Sequence, residues 1–491
     1  MAATRPNILF LLTDQQRFDT VRALGNPVIK TPALDRLASE GTAFTSAYTP
    51  SPVCVAARCS FTFGQYPFHT KCYDNGFKFP EGRTSFVEAL ARSGYRTHGI
   101  GKCHFVPDGL YGFQTRERQE EIVRDPQGDD YVRFLHEQGF KHVCDPHGIR
   151  GEMYYVPQPA QMPSRLHPTN WVGERAVHFI EEKRPPNEPW YLYASFIHPH
   201  PPFAPPNPWH KLYRAPMMPL PKMPPDAEAL WTLFNRKQNR SKYRDAGLDL
   251  HLIRCMRAYY FACISFIDFQ VGRILKSLEQ TGQLDRTLIV YSSDHGELLG
   301  DYGCFGKRTM LDSACRVPLL VRQPGRFAAG GRCEKPASLV DIAPTCLNAA
   351  GAKIDSHALD GVDLADLALG RAPREAVYSQ LMHGPRGLYM ACGERWKYIR
   401  SAADRREMLF DRLEDPAETR DRAGVGFFKE PLDKMRKRMI DTLEAAGETD
   451  ALEGSAWKTH PLGEMPANPD DGLMVQDHPW ADTNLPGYTD A

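Results

Sequence analysis

Residues 5–17 read RPNILFLLTDQQR. The apolar run Ile8–Leu12 is too short to cross a bilayer and ends in an acid. It lacks the longer apolar region and small-residue cleavage site expected of a signal peptide, and reads as a first buried β-strand. Trp190–Ile197, Leu288–Ser292 and Val317–Val321 have the same character. Pro32–Glu40, Ser85–Ser93, Ile264–Gln280 and Ser338–Ala349 instead carry apolar residues at helical spacing. Pro32 sits where a helix can begin, and Gly41 and Gly94 sit just past helix ends. This alternation predicts an α/β fold, a large, mostly parallel sheet flanked by helices. In such a sheet ligands bind beyond the carboxyl ends of the strands.

The 491 residues are 42% hydrophobic and 24% charged, ordinary values for a soluble globular protein. Sixty basic and sixty acidic residues cancel, so no global field favours nucleic acid or an anionic membrane. Any bound anion must be held by local charge. The 12 cysteines are scattered without a C-x-x-C pair, which points to a reducing cytoplasm. Two stretches depart from the alternating pattern. Residues 198–225 begin HPHPPFAPPNPW and predict a stiff loop that is neither helix nor central strand. That loop is either a surface connection or an active-site wall. From Arg374 the runs AVYSQL, GLYMAC, WKYIR and MLFDRL predict short antiparallel strands. The expected division is therefore a catalytic α/β domain over 1–370, a smaller α+β subdomain over 371–450 and an irregular tail over 451–491. The tail is either disordered or wrapped on a neighbouring subunit, which would make a homo-oligomer.

Asp14 and Gln15 follow the first strand directly, where oxygen-bearing side chains can hold a hard cation. Asp294 and His295 do the same in TLIVYSSDHGE, residues 287–297. Either pair alone also reads as an ordinary turn or cap. On neighbouring parallel strands the two pairs would meet in one crevice. Cys54, in SPVCVAARCS, precedes a helical pattern with Arg58 one turn on. A helix start favours an anion, so Cys54 reads either as a buried structural cysteine or as a nucleophile activated there.

Cys54-Val55-Ala56-Ala57-Arg58 matches the C-x-[PA]-x-R signature of type I sulfatases, and the chain resembles that family throughout. RPNILFLLTDQQR, TPALDRLASEGTAF, SPVCVAAR, GYRTHGIGKCH, HPHPPF, SSDHGELLGDYGCFGKRTMLDSACRVPLLV and MLFDRLEDPAETRD follow in the family's order. The resemblance implies an alkaline-phosphatase-like sandwich and oxidation of Cys54 to formylglycine by a formylglycine-generating enzyme. It implies that Asp14, Gln15, Asp294, His295 and converted Cys54 hold one divalent cation. Oxygen donors suggest Ca²⁺, and the imidazole leaves Mn²⁺ open. Arg58 would orient the nucleophile, Lys102 bind a substrate oxygen, and His104 act as base on the formylglycine hydroxyl. His200 and Lys307 would assist the leaving group, with His198 the competing histidine. Asn75, in YDNG, would donate to a sulfate oxygen or be a simple turn residue.

The implied reaction is hydrolysis of a small anionic sulfate ester, without nucleic acid or membrane partners. One hydroxyl of hydrated formylglycine attacks sulfur, and collapse of the hemiacetal expels sulfate. Relatives with the same nucleophile act on phosphonate monoesters and phosphodiesters, and Gln15 resembles their metal site. The pair Lys102 and His104 in GKCH is typical of true sulfatases. A chain with unconverted Cys54 would be a non-catalytic anion-binding homologue.

Overall fold

The computed structural model describes residues 5–122, 127–150, 153–243 and 249–465. Among them an eight-stranded sheet forms the centre. Its strands are β1 Asn7–Asp14, β2 Thr42–Phe44, β3 Arg96–Gly101, β4 Thr115–Arg118, β5 Trp190–Pro199, β6 Thr287–Ser293, β7 Leu319–Arg322 and β8 Gly331–Cys333. They lie in the order β4-β3-β5-β1-β6-β7-β2-β8. The run from β4 to β6 is parallel and β7 is antiparallel to both neighbours, so the sheet is mixed but mostly parallel.

Strand β1 is buried from end to end, which explains its continuous apolar run. One face of the sheet packs on the core containing Phe10, Phe61, Tyr193 and Ile342. The other packs on Leu9, Leu11, Trp171 and Ile267. The helix Leu250–Gln280 is long and apolar enough to cross a membrane, but 67% of its most apolar window is buried inside the protein. It packs against Pro32–Glu40 and Pro168–His178 as a core helix.

The alternating reading holds, and three boundaries move. The expected helix at Ile264 starts at Leu250, where the Asp249 side chain accepts from the Leu252 amide at 2.9 Å. The strand expected from Val317 starts at Leu319, because the Val317 amide donates to Ala47 and Pro318 has no N–H to give. The Pro-rich segment expected to be loop from His198 begins instead as strand. Strand β5 runs through Pro199, which pairs with Asp14 after a register shift at Thr13/Asp14. An irregular ladder end can accept a proline that a regular one cannot.

The runs after Arg374 form an antiparallel sheet of Val377–Leu381, Leu388–Cys392, Trp396–Ser401 and Arg406–Asp411. The helix Lys429–Ala445 covers it with Leu432, Met435, Met439 and Leu443. Lys397 of this sheet is fully buried and bonds Asp312 at 2.7 Å and Glu418 at 2.6 Å, fastening the sheet to the segment after β6. Of the expected tail, Leu452–Glu453 and Ala456–Trp457 form a short hairpin, and residues from 466 lie outside the described residues.

Candidate active site

Four adjacent parallel strands deliver the site. In spatial order β3 ends before Lys102, β5 before His200, β1 at Asp14, and β6 before Asp294. The crevice expected at the carboxyl ends therefore exists, and the two metal-ligand pairs share it. The Asp294 amide donates to the Thr13 carbonyl at 3.2 Å, which holds the two strand ends together.

Cys54 is the first residue of the helix Cys54–Phe63, and all ten residues of that helix are buried. The preceding Val53 gives no side-chain cap; Asn75 Oδ1 accepts from the Val55 amide at 3.0 Å instead. Asn75 is thus a cap supplied from another segment. Cys54 Sγ lies 2.9 Å from Lys307 Nζ, 3.1 Å from His295 Nε2 and 3.7 Å from Asp14 Oδ1. Burial and Asp14 push its thiol up, but Lys102, Lys307 and His295 outweigh them and hold it well below its ordinary range.

Asp14, Cys54, Asp294 and His295 each offer a donor atom, all within 4.8 Å of one another. Burial and the adjacent Asp14 push the Asp294 carboxyl up, the response of a second acid packed beside an ionised first one. A divalent cation between them would relieve both. His295 Nδ1 faces the Gly296 carbonyl at 3.0 Å and so carries the hydrogen, leaving Nε2 as a ligand atom. Gln15 donates its amide N–H to Glu297, which turns Oε1 toward Lys307 at 2.9 Å. The donor set fits a divalent cation.

Arg58 is fully buried between the two acids, with Nη2 3.1 Å from Asp14 Oδ2 and Nε 3.0 Å from Asp294 Oδ2. Its Nη1 donates to the Lys102 carbonyl at 2.7 Å and to Tyr193 Oη at 3.0 Å. Lys102 Nζ is 2.6 Å from Asp14 Oδ2 and also bonds Glu121. Gly101, just before it, has φ +87°, and a Cβ there would lie 2.0 Å from the Ser195 carbonyl oxygen, so only glycine lets β3 deliver Lys102 this close to β5. Gln15, His104 and Arg308 also have left-handed backbones, at φ 68°, 53° and 64°; such strain clusters at functional sites.

His200 reaches the site. Its Nδ1 faces the Pro201 carbonyl at 2.7 Å, and its other nitrogen groups with Cys54 and Glu121 within 4.8 Å. His198 does not; its ring packs against His167, tilted by 33° with centroids 5.0 Å apart, and faces Thr169 Oγ1 at 3.4 Å. Burial, with His200 nearby, lowers its pKa to about 3, which keeps it neutral. The His104 backbone N–H donates to the Glu120 carboxylate at 3.1 Å, and among the described residues its buried Nδ1 has no hydrogen-bond partner. Two acids in the site went unread in the sequence. Glu297 accepts from Gln15, from Tyr155 at 2.9 Å and from the Gly306 amide at 2.6 Å. Glu121 bridges Lys102, His200 and Arg150. Burial raises the Glu121 pKa, but those three groups outweigh it and hold the carboxyl well below the usual range.

Comparison with known proteins places this geometry. The sulfatase family model matches residues 6–352, and the model for the C-terminal part of N-sulphoglucosamine sulphohydrolase matches 300–445. The chain belongs to the sulfatase family. This sulfatase is 30% identical over 485 residues to an arylsulfatase of Clostridium perfringens, covering 94% of this chain and 99% of that one. It is 30% identical over 441 residues to a choline-sulfatase of Rhizobium meliloti, covering 85% and 82%. In fold it is similar to the phosphonate monoester hydrolase of Agrobacterium radiobacter, with TM-score 0.78, 24% identity and coverage of 93% and 100%. The sulfatase is a sulfuric ester hydrolase of the alkaline phosphatase superfamily, and its family is metal-dependent and uses formylglycine.

Proposed function

We propose that this sulfatase hydrolyses aryl or alkyl sulfate monoesters with converted Cys54 as nucleophile. The supporting observation is a pair of ammonium groups in one buried crevice: Lys307, on the loop after β6, lies 2.9 Å from Cys54 Sγ, and Lys102, just past β3, lies 2.6 Å from Asp14 beside it. A sulfate monoester is a monoanion with charge spread over its oxygens, and fixed cations in a buried site stabilise it in the transition state. The names of the similar proteins, an arylsulfatase and a choline-sulfatase, support the same reading.

Asp14, Gln15, Asp294, His295 and an oxygen on converted Cys54 would hold the cation, with Ca²⁺ favoured by the hard donors and Mn²⁺ the alternative. When bound, the cation supplies positive charge at the nucleophile and at a sulfate oxygen. Arg58 fixes the two acids in position. Lys102 binds a sulfate oxygen, and Lys307 contacts the ester and assists the leaving group. His200 would act in its imidazolium form, with Nδ1–H donating to Pro201 and the second proton, on Nε2, passing to the departing ester oxygen. This geometry favours His200 over His198 for that role. His104 is assigned as the base that restores the aldehyde. Asn75, its Oδ1 committed to the helix, has its NH₂ left to donate to sulfate. Conversion of Cys54 requires a formylglycine-generating enzyme as partner, and the unpaired state of all twelve cysteines suits a cytoplasmic protein.

A matched comparison on nitrophenyl sulfate and nitrophenyl phenylphosphonate tests the substrate class, using protein co-produced with a maturing enzyme. The expected result is a kcat/KM at least about 100-fold higher for the sulfate. A preference for the phosphonate would show that uncharged Gln15, which the phosphonate hydrolases resemble, was the better guide than Lys102.

A further inference from the structure

Glu121 has no part in the reaction described above, yet it lies in the wall of the crevice. It follows β4 on an irregular segment, is 6% exposed, and turns its two oxygens to different partners. Oε2 accepts from Lys102 Nζ. Oε1 lies 3.3 Å from His200 Nε2 and 3.2 Å from Arg150 Nη2.

An ammonium has three protons and no acceptor capacity. Lys102 donates one proton to Glu121 and lies 2.6 Å from Asp14 Oδ2, and these two acids fix where its ammonium sits. The His200 ring is oriented in a comparable way. A carbonyl only accepts, so Nδ1 carries the hydrogen facing Pro201, and Nε2 is turned toward Glu121 and Cys54. Nε2 is buried and makes no well-aligned hydrogen bond among the described residues. Arg150 balances the remaining charge on Glu121, so the acid needs no cationic substrate to neutralise it.

We propose that Glu121 is a positioning residue that aims His200 at the departing oxygen of the ester while holding Lys102 toward a sulfate oxygen. This rests on the assignment of His200 to the departing oxygen. A carboxylate that only held the fold would affect all substrates alike. One that aims the leaving-group acid matters most when the leaving group is poor.

The test measures kcat and KM for a series of aryl and alkyl sulfates of rising leaving-group pKa, in fully converted protein. The variants are Glu121→Gln, His200→Ala and the double variant. Glu121→Gln is expected to lose about threefold on nitrophenyl sulfate and about 100-fold on an alkyl sulfate, mainly in kcat, within the range of general acid catalysis. Its effect on alkyl sulfates in the His200→Ala background should be far smaller than in the native background. A uniform loss across the series, additive with His200→Ala, overturns the inference while leaving His200 in its role. A series in which His200→Ala itself has no leaving-group dependence overturns the assignment of His200, and the inference falls with it. Should Glu121→Gln fail to fold, Glu121→Asp keeps the charge but withdraws it by one methylene, and the same steepening is expected.

Discussion

Cys54→Ser protein mixed with a nitrophenyl sulfate releases at most one equivalent of nitrophenol and then stops. The position, not the sulfur, supplies the activation: this side chain opens a buried helix and sits beside Lys307, His295 and Asp14. A serine hydroxyl placed there meets the same cations and can attack sulfur once. It has no second hydroxyl on its β-carbon, so the sulfate ester has no route to collapse. Steady-state turnover should fall by about 10³-fold or more, in line with loss of a covalent nucleophile. Mass spectrometry of the quenched protein should find one sulfuryl group on the peptide containing position 54. Sustained multiple turnover by the serine variant would rule out the proposed second half of the reaction.

Arg58→Ala should produce the largest loss of stability in the site. The guanidinium is fully buried and bonds Asp14 and Asp294 at 3.1 and 3.0 Å. Removing one partner of a buried ion pair costs about 3–5 kcal/mol, because the remaining charge stays buried. Here two carboxylates lose the same partner, so a value at the upper end is expected from the denaturation midpoint. Saturating Ca²⁺ should recover part of the loss, because a cation in the site compensates the same two acids and binds only the folded state. Arg58→Lys should fall between, since an ammonium restores charge but not the fork that spans both acids. A loss indifferent to Ca²⁺ would contradict the joint role of Asp14 and Asp294 as ligands.

The parts of the site carried by strand ends were legible in the sequence. Buried parallel strands are written as apolar runs, so Asp14, Asp294 and His295 announced themselves by following such runs directly. Cys54 could be placed at a helix start because a helical pattern resumes directly after it. Glu121 and Glu297 were not legible, because each lies on irregular backbone where an acid reads as solvated surface. Only the packing of β3, β5 and β6 shows that these acids are buried against Lys102, His200 and Gln15. The choice between His198 and His200 was likewise open, since the two alternate with prolines. The end of β5 at Pro199 separates them: His198 stays in the strand against His167, and His200 turns into the crevice. Asn75 shows a different limit of sequence reading, because a cap supplied from a distant segment leaves no mark at the helix it caps.

In the proposed mechanism converted Cys54 carries the reaction. The most direct test is the mass of the peptide containing position 54, measured across preparations made with graded amounts of a formylglycine-generating enzyme and plotted against kcat. Turnover is expected to rise in proportion to the converted fraction and to extrapolate to zero for the intact thiol. Full turnover by protein that retains the thiol would contradict this mechanism and make Cys54 a thiolate nucleophile.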